Sequence, residues 1–312
     1  MNIRIKHILA ISLINGVGDA FIKKKINEIE TYIYDIDLLG NMLGGKVSKD
    51  GILENLPLAD KIINDCCESK IEIVSVICET YPSLLKEIKN PPAILYLKGN
   101  VTNLENCIAI IGSRKSDELG NTIASKVGSY FSEKWSICNG LVEGIDKNSI
   151  LNGKSVLSNV TGVISGGLNY HKTSSKTTKE LADKVLGNNG LLISENPPNK
   201  PEDQFSGSKA SRIQAGISKG VILIQSSSSG GSKYTIKTFS ELDRLLGVVN
   251  FKGNEKFDKE ELFSGNRLLI NEKLEGLAKM CGIKKINTIK IKSIIEIRNR
   301  SDYSFFEKAL KN

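Results

Sequence analysis

Residues 107–131, CIAIIGSRKSDELGNTIASKVGSYF, restrict the fold more than any other stretch of the chain. The apolar run over residues 107–111 is short and β-branched, which suits a strand buried on both faces, and Leu119, Ile123, Val127 and Phe131 then recur at helical spacing. Strand must give way to helix within residues 112–116. Gly112 there lets backbone come close to a ligand, Ser113 offers a hydroxyl, and Arg114 and Lys115 bring cations to a place where the N–H groups of a starting helix favour an anion. The turn reads either as a phosphate cradle or as a tight structural turn. It is not the dinucleotide fingerprint G-x-G-x-x-G, nor a Walker loop ending in G-K-[ST].

Strand-like runs at residues 71–77, 93–97, 107–111, 135–138, 160–164, 191–193, 221–225 and 247–251 alternate with helical patterns from residue 107 onward. That alternation predicts a Rossmann-like α/β fold with a doubly wound, mostly parallel sheet. In open α/β sheets ligands lie beyond the carboxyl ends of the strands, so the loops that follow them select the candidate site. Those loops hold Gly112, Ser113, Arg114 and Lys115; Gly140 and Gly144; Gly166; and Gly230, Gly231, Ser232 and Lys233. Glycine and serine with interspersed cations suit a phosphate chain, of a nucleotide or of a DNA strand. Gly140 and Gly144 equally suit tight strand-to-helix packing, and Asp146 suits a helix cap.

Ahead of this part, residues 2–13 are helix-compatible and run into Ile14-Asn15-Gly16-Val17-Gly18, followed by a second helical stretch at 21–29. The pattern is that of a helix-hairpin-helix unit, whose N–H groups either point at a phosphate or merely pack a turn, with Lys23, Lys24 and Lys25 following. Residues 53–67 read as a further helix. The expected organisation is a small helical domain of helix-hairpin-helix or SAM-like type at 1–70, a Rossmann-like domain at 71–285, and a short helical tail at 286–312, too short for a complete winged helix.

At 312 residues and 40% hydrophobic content the chain can bury a sizeable core. No run approaches the eighteen or so apolar residues of a membrane span, and the first residues lack a signal-peptide pattern, so a cytoplasmic protein with no membrane partner is expected. Cys66, Cys67, Cys78, Cys107, Cys138 and Cys281 form no C-x-x-C pair, and His7 and His171 are the two histidines, which argues against a zinc site or a disulfide framework. A formal charge of +8 and a pI near 9.0 favour a polyanionic partner.

Residues 110–115 (IIGSRK), 140–146 (GLVEGID), 191–198 (LLISENPP) and 212–218 (RIQAGIS), with 81–100 (YPSLLKEIKNPPAILYLKGN) ahead of them, resemble the ordered landmarks of the DprA/Smf family of DNA-processing proteins. The resemblance covers roughly residues 71–282. It implies that the loop at 196–208 carries an exposed aromatic and that the helix after it begins with cations, which together grip single-stranded DNA. Phe205 and Arg212 match that pattern and Lys209 matches in charge, whereas Ala210 and Ser211 depart from the usual Arg-Asn. An aromatic for stacking beside cations for phosphates is the physical signature of single-strand binding.

No Cys–His or Ser–His pairing lies within a motif, and neither paired carboxylates near the loops nor a metal-ligand cluster is visible. No catalytic residue, metal or cofactor is therefore expected. The reading is a non-enzymatic single-stranded DNA-binding protein that, by resemblance, protects DNA, helps load a RecA-type recombinase and forms a homodimer. The alternative is a nucleotide- or DNA-sensing protein of a defence system on the same scaffold. A phosphoribohydrolase of the Lonely-Guy kind is disfavoured because Ser229-Gly230-Gly231-Ser232 lacks the P-G-G-x-G-T proline, the following Gly-Thr and a neighbouring acid.

Overall fold

The helix expected over residues 2–13 is present as α1 (Ile3–Leu13) in the computed structural model, which describes residues 3–311; Asn2 lies outside the described residues. It packs on α5 (Lys49–Glu68), with α2 (Asp19–Lys24), α3 (Ile26–Tyr32) and α4 (Ile36–Leu43) between them in sequence. Side-chain oxygens of Asp35 and Ser48 cap α4 and α5, satisfying N–H groups that a helix start leaves without partners.

The chain then alternates: β1 (Glu72–Ser75), α6 (Ser83–Lys86), β2 (Ile94–Gly99), β3 (Cys107–Ile111), α7 (Glu118–Phe131), β4 (Ser136–Asn139) and α8 (Ile145–Ile150). A small hairpin of β5 (Leu151–Asn152) and β6 (Ser155–Val156) leads to β7 (Val160–Val163), α9 (Tyr170–Thr173), α10 (Lys176–Gly187) and β8 (Leu191–Ser194). After these come α11 (Ser206–Ile217), β9 (Ser218–Leu223), α12 (Ser232–Phe239), β10 (Leu245–Val249), α13 (Ser264–Cys281), β11 (Ser293–Ile297) and α14 (Arg300–Leu310). The strands form one nine-stranded sheet in the order β1-β2-β8-β7-β4-β3-β9-β10-β11. Within this sheet strand β2 runs antiparallel to β1 and β8, and every other pairing is parallel. This is the Rossmann-like, mostly parallel sheet that the alternation predicts, preceded by a helical part.

Every residue of β3, β4, β7 and β8 is buried, as strands covered by helices on both faces must be. Helices α7 and α8 approach so closely that a Cβ on Gly128 would lie 1.7 Å from the Ser149 carbonyl oxygen. Strand order reverses at β3: β4, β7 and β8 build outward on one side, β9, β10 and β11 on the other. The switch point therefore lies between the loops after β3 and β9.

Two expectations need correction. Residues 286–312 are not one or two terminal helices: β11 pairs in parallel with β10 from Leu245↔Ser293 to Val249↔Ile297, and α14 buries Tyr303 and Phe306 beside it. The Lys- and Ile-rich composition hid a five-residue edge strand. Residues 173–178, whose Thr- and Ser-rich sequence TSSKTT reads as a solvated loop, are not one either, since α9 ends at Thr173 and α10 begins at Lys176, capped by Ser175.

Candidate nucleic-acid interface

Five residues separate Gly112 from the start of α7 at Glu118, so Arg114 and Lys115 ride on a loop rather than on the helix end. The α7 N-terminus is also already occupied. Asp117 caps it, accepting from Gly120 N at 2.7 Å, and Gln225 secures Asp117 by accepting from its backbone N and donating to its carboxylate. A carboxylate at that position takes the place an anion would use, which corrects the helix-end cradle. Gly112 serves packing: a Cβ there would fall 2.4 Å from Ile145 Cγ1 and 2.9 Å from the Gln225 carbonyl oxygen. Ser113 N donates to that carbonyl at 2.7 Å, and Ser113 Oγ accepts from Lys115 N. The loop is rigidly built, and it leaves Arg114 and Lys115 exposed.

The next loop supports the first. Gly144, at φ +80°, admits the Ser113 carbonyl, which would lie 2.2 Å from any Cβ there; only glycine tolerates both the conformation and the approach. Asp146 caps no helix. It is 7% exposed and accepts from Gly140 N at 2.8 Å, while Gln214 Nε2 lies 3.1 Å from where a Gly140 Cβ would be. Burial pushes the Asp146 carboxyl up to about 7, opposed by the backbone N–H of Gly140, the Arg114 guanidinium and the N–H of Val142.

Gly166, buried, is the seat of the Pro-rich loop. Its missing Cβ makes room for the Thr173 carbonyl and for Glu202 Cγ, and Gly167 N donates to the Lys200 carbonyl at 2.8 Å. Partial burial raises the Glu202 carboxyl, and Arg114 acts on it in the opposite direction. Arg114 thus has Asp146 on one loop and Glu202 on another within electrostatic reach. Among the described residues, none closes an ion pair with it.

Gly230, Gly231, Ser232 and Lys233 lie across the switch point, on the loop after β9 and the start of α12. Gly231 is exposed, and a side chain there would meet nothing. The ties of this loop run to α13: Ser226 N to Asn266 Oδ1, Ser228 N to Ser264 Oγ and Gly265 N to the Ser226 carbonyl. Lys233 stands over the Tyr234 ring.

At the start of α11 the three predicted residues part company. Phe205 is 61% exposed, which rules out an aromatic tucked onto the core, and Lys209, one turn later, is also exposed. Arg212 is spent. Its guanidinium bonds to Asp19 Oδ2 at 2.8 Å, to the Asn90 carbonyl at 2.8 Å and to Glu195 Oε2, with a side chain only 17% exposed. It joins the helical part to the sheet and is not free to hold a phosphate. The Gly16-Val17-Gly18 hairpin takes part in the same docking: Val17 is buried, Asp19 Oδ1 accepts from Ala93 N, and Lys23 Nζ donates to the Ile88 carbonyl. The hairpin thus packs against the sheet part, as one of its two readings expects.

Sequence reasoning missed Asp19, Glu195, Glu202 and Gln225. Gln225 left a signal, as a polar residue closing the apolar run VILIQ. The carboxylates left none, because each gains its role from a loop distant in sequence. Among the described residues no cluster of His, Cys, Asp and Glu could hold a metal ion, and no helix is long and apolar enough to cross a membrane.

The family model described as "DNA recombination-mediator protein A" matches residues 58–285. The DNA processing protein DprA of Bacillus subtilis is 30% identical over 204 residues, 64% of this chain and 68% of that protein. DprA of Streptococcus pneumoniae is 30% identical over 181 residues, 58% of this chain and 63% of its own length. Among solved structures, the X-ray structure of the S. pneumoniae protein superposes with a TM-score of 0.74 at 23% identity, covering 98% of both chains. A Helicobacter pylori DprA structure, described by its single-stranded DNA binding mode, superposes with a TM-score of 0.59 at 19% identity over 78% of this chain and 96% of that one. At those identities the structural likeness shows the fold, whereas the family match spans well over half of the sequence. The chain belongs to the DNA recombination-mediator protein A family, the DprA/Smf proteins that its sequence landmarks resemble.

Proposed function

We propose that this protein binds single-stranded DNA along the carboxyl edge of its sheet and serves recombination, protecting the strand and assisting a RecA-type recombinase to load. The observation that carries the reading is the exposed Phe205 one helical turn from the exposed Lys209, with the exposed Arg114 on the strand-end loops. A stacking face beside cations meets the demands of a flexible, unpaired strand and reads no base edge. Relatives named for DNA processing, and a fold neighbour named for single-strand binding, support the same reading. Binding without catalysis fits the use made of the one strongly perturbed carboxylate at the site: Asp146 is engaged by backbone N–H groups that hold its own loop. We read the protein as a cytoplasmic homodimer, the compartment being supported by six free cysteines.

Titrating labelled oligo-dT against the purified protein, with equal-length duplex and a panel of mononucleotides as competitors, tests this. Oligo-dT should bind most tightly, with an affinity that falls steeply with salt. Tighter duplex binding, or an affinity flat from low to moderate salt, would overturn the groove. Mononucleotide binding that displaces the strand stoichiometrically would favour a nucleotide sensor instead.

A further inference from the structure

A cavity of about 360 Å³ lies between the hairpin of the helical part and the sheet, and no step of the preceding reading uses it. One wall is apolar, with Leu9, Leu13 and Val17 from the helical part; the other carries Tyr96, Glu195 and Pro197, and Lys200 and Lys209 also line it. Glu195 gives one carboxylate oxygen to Arg212, while the other, Oε1, is buried with no hydrogen-bond partner among the described residues. A buried acceptor in that state lacks an N–H or O–H donor. Lys209 is one helical turn from the exposed Phe205, its backbone N donating to the Phe205 carbonyl, so a strand lying on Phe205 passes the mouth of this cleft.

We propose that the cleft takes one unstacked nucleobase of the bound single strand, its N–H edge toward Glu195, its faces against the apolar wall and its flanking phosphates on Lys200 and Lys209. The volume is that of a small-molecule site. Every common nucleobase carries an N–H donor, so the cleft holds a base without demanding a sequence. The proposal rests on the single-strand reading above and gives the helical part a role in it, as one wall of the site.

Gly18 provides the test, because it lines the cleft, has extended backbone at φ −114° that any residue adopts, and presents open space to a Cβ. Gly18→Leu in the full-length chain should fill the cleft, leave the melting temperature unchanged or raised, and weaken oligo-dT about tenfold at fixed salt, as loss of one base contact does. A Gly18→Leu protein that is folded by circular dichroism and binds oligo-dT like the parent would overturn the cleft while leaving the single-strand reading intact. A parent protein that ignores oligo-dT would sink both. The second measurement does not depend on how Gly18→Leu folds. In a Phe205→Ala background, oligo-dT should still bind several-fold more tightly than an abasic strand of equal length, whereas equal binding of the two would show that Phe205 is the sole base contact.

Discussion

Arg114 and Arg212 looked equivalent as cations in the sequence, yet the structure uses them in opposite ways. Arg114 sits on a loop whose own backbone bonds hold its shape, so the guanidinium is exposed and two carboxylates approach it without pairing. Arg212 is drawn inward by Asp19, Asn90 and Glu195, three partners from three segments that meet only in the folded chain. A cation binds a ligand when the fold leaves it unpaired and holds the fold when it does not. Charge in a motif does not distinguish the two.

The comparison breaks most readily at Arg212. Arg212→Ala should cost about 2–4 kcal/mol of stability, somewhat under the range for wholly buried pairs because Asp19 retains part of its exposure, and thermal unfolding reads the loss. Glu195 sets the pH dependence. Burial raises its carboxyl and Arg212 lowers it, so removing Arg212 leaves it raised further. A raised carboxylate makes the folded state bind more protons than the unfolded one, so stability falls as pH rises through that interval. The melting deficit of Arg212→Ala should therefore be smaller at pH 5 than at pH 8. An unchanged melting temperature with abolished DNA binding would reverse the roles assigned to the two arginines.

Arg114→Ala should show the complementary pattern. Its loss should weaken oligo-dT by about 1–3 kcal/mol, with stability within about 0.5 kcal/mol of the parent and a log-affinity against log-salt slope shallower by about 0.7. Phe205→Ala should weaken binding by a similar amount with the salt slope unchanged, because stacking displaces no counterion. A melting temperature that collapses in Arg114→Ala would make that residue structural as well.

How far each feature was legible follows from where its determinants lie. The sheet was readable because burial on both faces writes β-branched runs such as CIAII and VILI into the chain itself. Strand β11 was not, since as an edge strand its burial is partial and its SIIEI reads as amphipathic helix beside lysines. At the site, the glycines were found as glycines but for ligand approach, whereas Gly112 and Gly144 make room for Ile145 and for the Ser113 carbonyl. The exposure of Phe205, which the structure puts at 61%, was implied by the family resemblance and not by any pattern in the residues around it. The ion-pair partners of Arg212 lie 193 and 17 residues away, beyond any local pattern.

Asp146 supplies a further distinction between holding and binding. Its carboxyl, raised to about 7 by burial, ionises in the unfolded chain near the ordinary carboxylate value, so the folded state holds the extra proton between those two points. The stability it contributes is fully present below that interval and is lost as pH rises toward 7. Asp146→Asn avoids the buried charge while retaining an acceptor for Gly140 N. Its melting temperature relative to the parent should rise from pH 5 to pH 8 by a few degrees, and a difference constant across that range would show that Asp146 is not the group titrating.

The smallest effect belongs to Glu202, and it sharpens the comparison at the Arg114 end. Glu202 sits on the same loop as Phe205, its Cγ filling the space left by Gly166, and Arg114 is the charge that lowers its carboxyl against the effect of burial. An ionised carboxylate beside the guanidinium offsets part of the field that attracts a phosphate. The pair is not closed, so the interaction lies in the range of exposed charges, about 0.2–1 kcal/mol. Glu202→Gln keeps the shape and removes the charge. Oligo-dT should then bind about two- to threefold more tightly at low salt, with the advantage shrinking as ionic strength rises, because screening acts on this term first. In an Arg114→Ala background the same substitution should give less than half of that gain. An equal gain in both backgrounds would mean that Glu202 repels the strand directly and does not act through Arg114.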